Sequence, residues 1–281
     1  MKPTVEDIKN RLLPLYSKEE VRIFTQFLLN KVCGIAPHLQ LLCKDIKLSD
    51  TQATQINRCI DRLLNHEPIQ YILGETTFLD LFFSVTPDVL IPRSETEELV
   101  AMIIELHRNE TPEILDIGAG SGCIAVSLAK KIPGAKVYAI DISESALQVA
   151  KKNSTANDVE VTFLQHDIFA PLPSAPQLPV RFDLIVSNPP YVMEKERDAM
   201  LPNVLNFEPP EALFVSNEDP LFFYRRIAEV ALQRLAFGGV VYLEINALLG
   251  RETAELFNGK GVATQLIPDI HKRERFIKAW L

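Results

Sequence analysis

The stretch Ile114-Leu115-Asp116-Ile117-Gly118-Ala119-Gly120-Ser121-Gly122-Cys123-Ile124-Ala125-Val126 passes from an apolar run through alternating glycines into a helical pattern. It predicts a buried strand, a tight turn and a helix N-terminus. Glycines let the backbone come close to a ligand, and the free N–H groups of a helix start favour polar or anionic atoms. A dinucleotide-binding loop has the spacing G-x-G-x-x-G. Here the third glycine comes one residue early, at Gly122, and Cys123 stands where that pattern places glycine. With Asp116 ahead of it, the G-x-G-x-G spacing fits S-adenosylmethionine better than a pyrophosphate. Asp116, Gly118, Ala119, Gly120, Ser121 and Gly122 are therefore expected to bind that cofactor.

Downstream, Lys136-Val137-Tyr138-Ala139-Ile140-Asp141 reads as a second strand ending in a carboxylate. Asp141 is placed to accept from both ribose hydroxyls, as an acid after a glycine loop does in open α/β sheets. A third strand, Glu160 to Gln165, leads to His166-Asp167-Ile168-Phe169. Asp167 suits the adenine amino group, and Ile168 and Phe169 its ring. Plain core packing is an equal reading of Phe169.

A fourth apolar run, Phe182 to Ser187, ends in Asn188-Pro189-Pro190-Tyr191. Two prolines fix φ and remove N–H groups, so the Pro189 carbonyl can project as an acceptor beside the Asn188 side-chain oxygen. Two acceptors and the Tyr191 ring suit a planar NH2 group whose lone pair must point along one line. Asn188, Pro189 and Tyr191 are the expected catalytic residues, and Asn188, Pro189, Pro190 and Tyr191 the expected substrate site. Asn188 is also expected beside the cofactor.

These motifs together resemble a class I S-adenosylmethionine-dependent methyltransferase of the amino-group type. Glu67-Pro68-Ile69-Gln70-Tyr71-Ile72-Leu73-Gly74, Val89-Leu90-Ile91-Pro92-Arg93-Ser94-Glu95-Thr96-Glu97, and Glu208-Pro209 with Ala212-Leu213 narrow the likeness. In order and over nearly the whole chain, they resemble the peptide chain release factor glutamine methyltransferases of the PrmC/HemK type. The resemblance implies methylation of the side-chain amide nitrogen of the glutamine in a Gly-Gly-Gln motif, with class I release factors as partners. Ser94 departs from a usual proline, and Asn246 and Lys272 from usual glycines.

Composition agrees with an enzyme of two parts. The chain has 281 residues, of which 47% are hydrophobic, enough for one substantial core and a smaller one. A net charge of −8 argues against sequence-independent nucleic-acid binding, which rests on phosphate neutralisation by Lys and Arg. Cys33, Cys43, Cys59 and Cys123 show no C-x-x-C spacing and the histidines no metal-binding cluster, so reduced, mostly buried thiols and no metal are expected. Met1 to Asp7 lacks a signal-peptide core, and no apolar stretch has membrane-spanning length. A cytoplasmic monomer without direct nucleic-acid or membrane contact is the expectation.

The first part has helical spacing, with capping boxes at Ser17 to Glu20 and Ser49 to Gln52. Residues 1–72 are read as a helical bundle for substrate recognition. A linker at 73–93 would hold a β-hairpin over Phe78 to Val85, with Asp80 near its turn. Residues 94–281 form the methyltransferase domain. There, Asp219-Pro220 is expected to start a helix ending before Gly238-Gly239, and Val240 to Ile245 to form a fifth strand. Alternating strands and helices imply an α/β fold with a doubly wound, mostly parallel sheet. The resemblance makes it a seven-stranded Rossmann-like methyltransferase sheet with an antiparallel strand near the C-terminus. Arg93 and Glu95 to Glu97 are read either as neighbours of the cofactor's methionine end or as a helix start around Thr96.

A carboxamide is a weak nucleophile that stays protonated at neutral pH, so orientation rather than base catalysis must carry the reaction. Two rivals belong to other classes. An adenine-amino DNA methyltransferase would use a similar turn but needs a basic groove. A non-catalytic cofactor-binding adaptor would act through the helical bundle.

Overall fold

Three hydroxyl side chains start the long N-terminal helices. Thr4, Ser17 and Ser49 each accept the backbone N–H of the third helical residue, and Asp7, Glu20 and Gln52 accept the cap residue's own N–H in return. Two donors that helix geometry leaves free are satisfied at each start. The helices are α1 (Val5–Leu12), α2 (Lys18–Cys33), α3 (Pro37–Gln40), α4 (Asp50–Leu64) and α5 (Ile69–Leu73). Ile8, Leu12, Leu28, Ile56, Ile60 and Leu63 are fully buried among them. Glu67, from the Glu-Pro-Ile-Gln stretch, accepts from Arg62 Nε at 2.7 Å and so braces this helical part.

The computed structural model describes residues 4–40 and 48–281, which divide into two compact units. One comprises the residues up to Gly74 together with Leu201–Phe207, which includes α9 (Pro202–Leu205). The other is Glu75–Met200 with Glu208–Leu281. The hairpin expected as a linker thus falls within the second unit. Met1, Lys2, Pro3 and Cys43 lie outside the described residues. Of the described cysteines only Cys123 is buried; Cys33 and Cys59 are half-buried, against the expectation of mostly buried thiols.

The hairpin pairs β1 (Glu75–Phe78) with β2 (Leu81–Ser84), three residues ahead of the expected start. Leu79 and Asp80 turn it with φ of 49° and 62°, the double left-handed geometry of a two-residue hairpin loop. Phe78 and Phe83 carry it onto the core. The backbone of β2 finds its bonds on α8 (Glu144–Ala156): Asn153 Oδ1 accepts from Ser84 N–H at 2.7 Å, and Asn153 Nδ2 donates to Ser84 O at 2.9 Å. A buried amide so closes one part of an open strand edge.

The second unit is built on seven strands in the order β10-β11-β9-β6-β3-β4-β5. They are β3 (Glu113–Ile117), β4 (Lys136–Asp141), β5 (Val161–Gln165), β6 (Phe182–Ser187), β9 (Leu235–Glu244), β10 (Ala263–Pro268) and β11 (Glu274–Trp280). Strand β11 runs against the other six, which share one direction. Side chains alternate between two cores: Ile114, Leu184 and Tyr242 face one, Leu115, Ile185 and Val241 the other. Burial on both faces is why these strands read as continuous apolar runs. Helices α6 (Ser94–His107), α7 (Cys123–Lys131) and α8 serve the first core; α10 (Phe222–Arg234) and α11 (Gly250–Gly259) serve the second. A short parallel pair, β7 (Val192–Met193) with β8 (Phe214–Val215), follows the Asn-Pro-Pro-Tyr turn.

Two boundaries differ from the sequence reading. Helix α10 starts at Phe222, because Asp219 to Leu221 form a turn in which Asp219 O accepts from Phe222 N–H and the Asp219 carboxylate pairs with Arg225. Strand β9 starts at Leu235, not Val240. Leu235 pairs with Phe182 and Val240 with Leu184, so Ala236 to Gly239 bulge out between them. A Cβ on Gly239 would lie 2.9 Å from Asp183 O, so the glycine pair that resembles a loop is a close approach inside a strand.

Candidate active site

The chain winds from β3 outward through β4 to β5 and then crosses back to β6 on the other side of β3, and the crevice at such a switch point holds ligands in open α/β sheets. Both sequence motifs end there. Gly118, Ala119, Gly120, Ser121 and Gly122 follow β3, with φ of 82°, 52° and 79° at the three glycines. These left-handed values are strained for residues with a Cβ. The turn is fixed from three sides: Gly118 and Ala119 N–H donate to Ile140 O, Gly120 N–H to Asp141 Oδ2 at 2.8 Å, and Asn153 Nδ2 to Ser121 O at 2.8 Å. A Cβ on Gly122 would meet Ala150 at 3.0 Å, so Gly122 serves helix packing, whereas a Cβ on Gly118 or Gly120 would meet open space.

Asp116 is fully buried under this turn. Its Oδ2 accepts Ala125 N–H at 3.2 Å, while Oδ1 has no partner among the described residues. Burial first, and then the charge of Asp141, push its pKa well above the ordinary carboxylate value, opposed by the Ala125 bond. Each Asp141 oxygen accepts one backbone N–H, from Gly120 and Ser143 at 2.8 and 2.9 Å. Every oxygen keeps a further lone pair for a ligand hydroxyl. Ile142, which follows Asp141, is exposed.

Asp167 Oδ1 accepts Phe169 N–H at 2.9 Å. The Phe169 ring stacks on Phe222 at 4.1 Å and is partly exposed, so it belongs to an aromatic cluster at the start of α10 rather than to the main core. Ile168 is buried. Arg226, which no sequence motif singles out, pins this turn by donating to Ile168 O and Ala170 O at 2.6 and 2.9 Å.

The Asn188-Pro189-Pro190-Tyr191 turn leaves the carboxyl end of β6, one strand from the glycine turn. Asn188 Nδ2 donates to Thr96 Oγ1 at 3.0 Å. Among the described residues no hydrogen-bond donor reaches Asn188 Oδ1 or the Pro189 carbonyl oxygen. Thr96 Oγ1 donates to Glu244 Oε2 at 2.6 Å, and the Tyr191 hydroxyl to Glu244 Oε1 at 2.9 Å. Glu244 ends β9 and is buried, which raises its pKa against the lowering effect of the two hydroxyls and Arg275. Burial, then the Glu244 charge, push the Tyr191 phenol up.

Neither Thr96 nor Glu244 was expected in this role. Thr96 is not a helix cap; it lies inside the first turn of α6 and points at the turn after β6. Glu97 leaves the site, accepting Leu79 N–H at 2.8 Å. Arg93 Nη2 donates to Glu208 Oε1 at 2.6 Å and Ile91 N–H to Glu208 Oε2 at 3.1 Å, so two stretches far apart in sequence meet. Among the described residues no group of three His, Cys, Asp or Glu could hold a metal ion, and no helix is long and apolar enough to cross a membrane.

The donor set suits S-adenosylmethionine: carboxylates for its ribose hydroxyls and amino group, an unpartnered buried oxygen on Asp116, and open space over two left-handed glycines. The fold and the site define a methyltransferase dependent on that cofactor. A methyltransferase small domain matches residues 98–218 and a PrmC N-terminal domain residues 7–74. The release factor glutamine methyltransferase of Flavobacterium psychrophilum is 43% identical over 95% of this chain and 94% of its own length. That of Bacteroides thetaiotaomicron is 43% identical over 97% of each. The chain belongs to the release factor glutamine methyltransferase family. In fold it is similar to the Thermus thermophilus 16S rRNA N2 G1207 methyltransferase, solved with AdoMet and guanosine, with a TM-score of 0.52 and 23% identity over 73% of this chain and 49% of that one.

Proposed function

We propose that this protein methylates the side-chain amide nitrogen of the glutamine in the Gly-Gly-Gln motif of class I release factors. It does so as a cytoplasmic monomer without direct contact to nucleic acid. The observation that carries the reading is the pair of acceptors, Asn188 Oδ1 and the Pro189 carbonyl, left without donors beside the glycine turn. A primary amide has two N–H bonds to offer them, and accepting both fixes the amide plane, so the nitrogen lone pair, perpendicular to it, is aimed along a single line. Tyr191 packs its ring against the amide plane, its hydroxyl tethered to Glu244. S-adenosylmethionine, when bound, supplies an electrophilic methyl group. The amide nitrogen gains that methyl as the S–CH3 bond breaks, leaving S-adenosylhomocysteine as the thioether product, and the nitrogen loses one proton to water.

Asp141 would hold the ribose, Asp116 the cationic amino-acid end, and Asp167, Ile168 and Phe169 the adenine. A Gly-Gly-Gln tripeptide offers little contact area, so the helical unit is the surface that recognises the rest of the partner. Remote contacts of this kind raise turnover as well as affinity when they hold the reacting group in place.

Incubation with labelled S-adenosylmethionine and, separately, a class I release factor, the same factor with its motif glutamine changed to Ala, and duplex DNA tests the reading. Label is expected only in the unaltered release factor. Label in DNA alone would mark an adenine-amino methyltransferase, and label in none of them an adaptor.

A further inference from the structure

The amide of Asn188 has two orientations, and only one of them serves a substrate that brings N–H groups. With Oδ1 toward the substrate an acceptor meets a donor; with Nδ2 there, donor meets donor. The orientation is decided two residues away. A carboxylate only accepts, so the one Thr96 hydroxyl proton is committed to Glu244 Oε2, 2.6 Å away. Thr96 Oγ1 then has only lone pairs to present to Asn188, and a lone pair is met by Nδ2, at 3.0 Å. Oδ1 is left to face the other way.

The second Glu244 oxygen holds the Tyr191 hydroxyl at 2.9 Å. Thr96 is 2% and Glu244 1% exposed, so neither can touch a substrate directly. Arg275 is engaged elsewhere, with Asp269 Oδ2 at 3.9 Å and Ile245 O at 3.4 Å. The buried carboxylate is thus met by two hydroxyls, and each hydroxyl continues to a residue of the Asn-Pro-Pro-Tyr turn.

We propose that Glu244 and Thr96 are positioning residues for the methyl acceptor: Glu244 sets the polarity of a relay through Thr96 that locks Asn188 Oδ1 toward the glutamine amide. The proposal rests on the reading of Asn188 as the amide acceptor. It makes Glu244→Gln informative, because a single side-chain carbonyl can serve only one of the two hydroxyls. Where the new NH2 meets Thr96, the threonine proton turns to Asn188 and the amide flips. Where it meets Tyr191, the phenol loses its tether.

The experiment is a double-mutant cycle on the full-length protein with an intact release factor. Turnover, KM for the release factor, and S-adenosylmethionine affinity by calorimetry are measured for Thr96→Val, Thr96→Ser, Glu244→Gln, Asn188→Ala and Thr96→Val/Asn188→Ala. Loss of orientation is expected to lower kcat of Thr96→Val by about 10- to 100-fold, with cofactor affinity and KM each within about threefold of the parent. Thr96→Ser, which keeps the hydroxyl, restores most of the rate. On the Asn188→Ala background Thr96→Val costs nothing further, since no amide remains to orient. Equal cost in both backgrounds, or an unaltered kcat in Thr96→Val, overturns the relay while leaving Asn188 as acceptor. Full turnover in Asn188→Ala overturns the acceptor reading itself. Should Thr96→Val fail to bind cofactor, Thr96→Ala, which also removes the hydroxyl, takes its place in the cycle with the same expected and overturning results.

Discussion

Asn246 Nδ2 bridges the Tyr191 carbonyl oxygen at 3.1 Å and Glu196 Oε2 at 2.9 Å, tying the end of β9 to the turn that follows β6. Its Oδ1 accepts Leu248 N–H at 2.9 Å, and its φ of −65° needs no glycine. Related proteins were expected to carry glycine here, so this chain replaces freedom with a clamp. Asn246→Ala should destabilise the protein by about 1–3 kcal/mol, because Glu196 keeps only the Met193 N–H and the Tyr191 carbonyl loses a donor. Urea unfolding with an unchanged m-value checks it; a midpoint equal to that of the parent would contradict the clamp.

Binding and chemistry separate between Asp141 and Asn188. Asp141→Ala removes the acceptor of Gly120 and Ser143 N–H together with the ribose partner, so it should weaken cofactor binding by about 1.5–3 kcal/mol. Asn188→Ala should mainly lower kcat. Calorimetric titration paired with turnover distinguishes them, and equal damage to affinity and rate in both variants would refute the assignment.

Asp116 gives a pH signature. Its folded pKa is raised, by burial and then by Asp141, so it contributes stability below its unfolded pKa of about 3.9 and loses that contribution as pH rises through the folded value. Asp116→Asn has no proton to lose. Without cofactor, its melting temperature should exceed that of the parent by a margin that grows as pH is raised from about 4 toward 8. Added S-adenosylmethionine should narrow the margin, since the variant binds the cation less well. A margin independent of pH would count against this account.

Lys272 adopts a φ of 64° in the turn between β10 and β11, where glycine was the expected residue. The turn is held by the Asp269 carboxylate, which accepts His271 and Arg273 N–H at 2.8 and 2.9 Å. Lys272→Gly removes the left-handed strain but adds unfolded-state freedom, and the balance should stabilise by about 0.5–1 kcal/mol. Chemical denaturation measures it, and a loss of stability would show that the lysine side chain makes up for its backbone.

Lys136–Asp141 and Phe182–Ser187 have the bounds their apolar runs predict, because Val137, Ala139, Ile140 and Leu184 to Val186 are buried whichever face they point to, and the exposed Lys136 and Asp183 fall only at the strand starts. The glycine turn was legible for a related reason: left-handed φ selects a residue type. Glu244 was not. A glutamate closing an apolar strand looks like a solvated end, and its partner Thr96 lies 148 residues earlier, so only the packing of α6 against β9 brings the pair together. The bulge at Ala236 to Gly239 hid for the opposite reason, since a glycine pair signals a loop as readily as a close backbone approach.

With the cofactor held as proposed, the carboxylates of Asp141 and Asp167 would also act as a filter on what adenosine carries. In a cell the same nucleoside is attached either to a sulfonium and an ammonium or to a chain of phosphates. A crevice whose nearest charges are acids attracts the first and repels the second, whatever the fit of the shared ring and sugar. On that reading the acid-rich walls would disfavour a phosphorylated nucleotide in the place of the methyl donor.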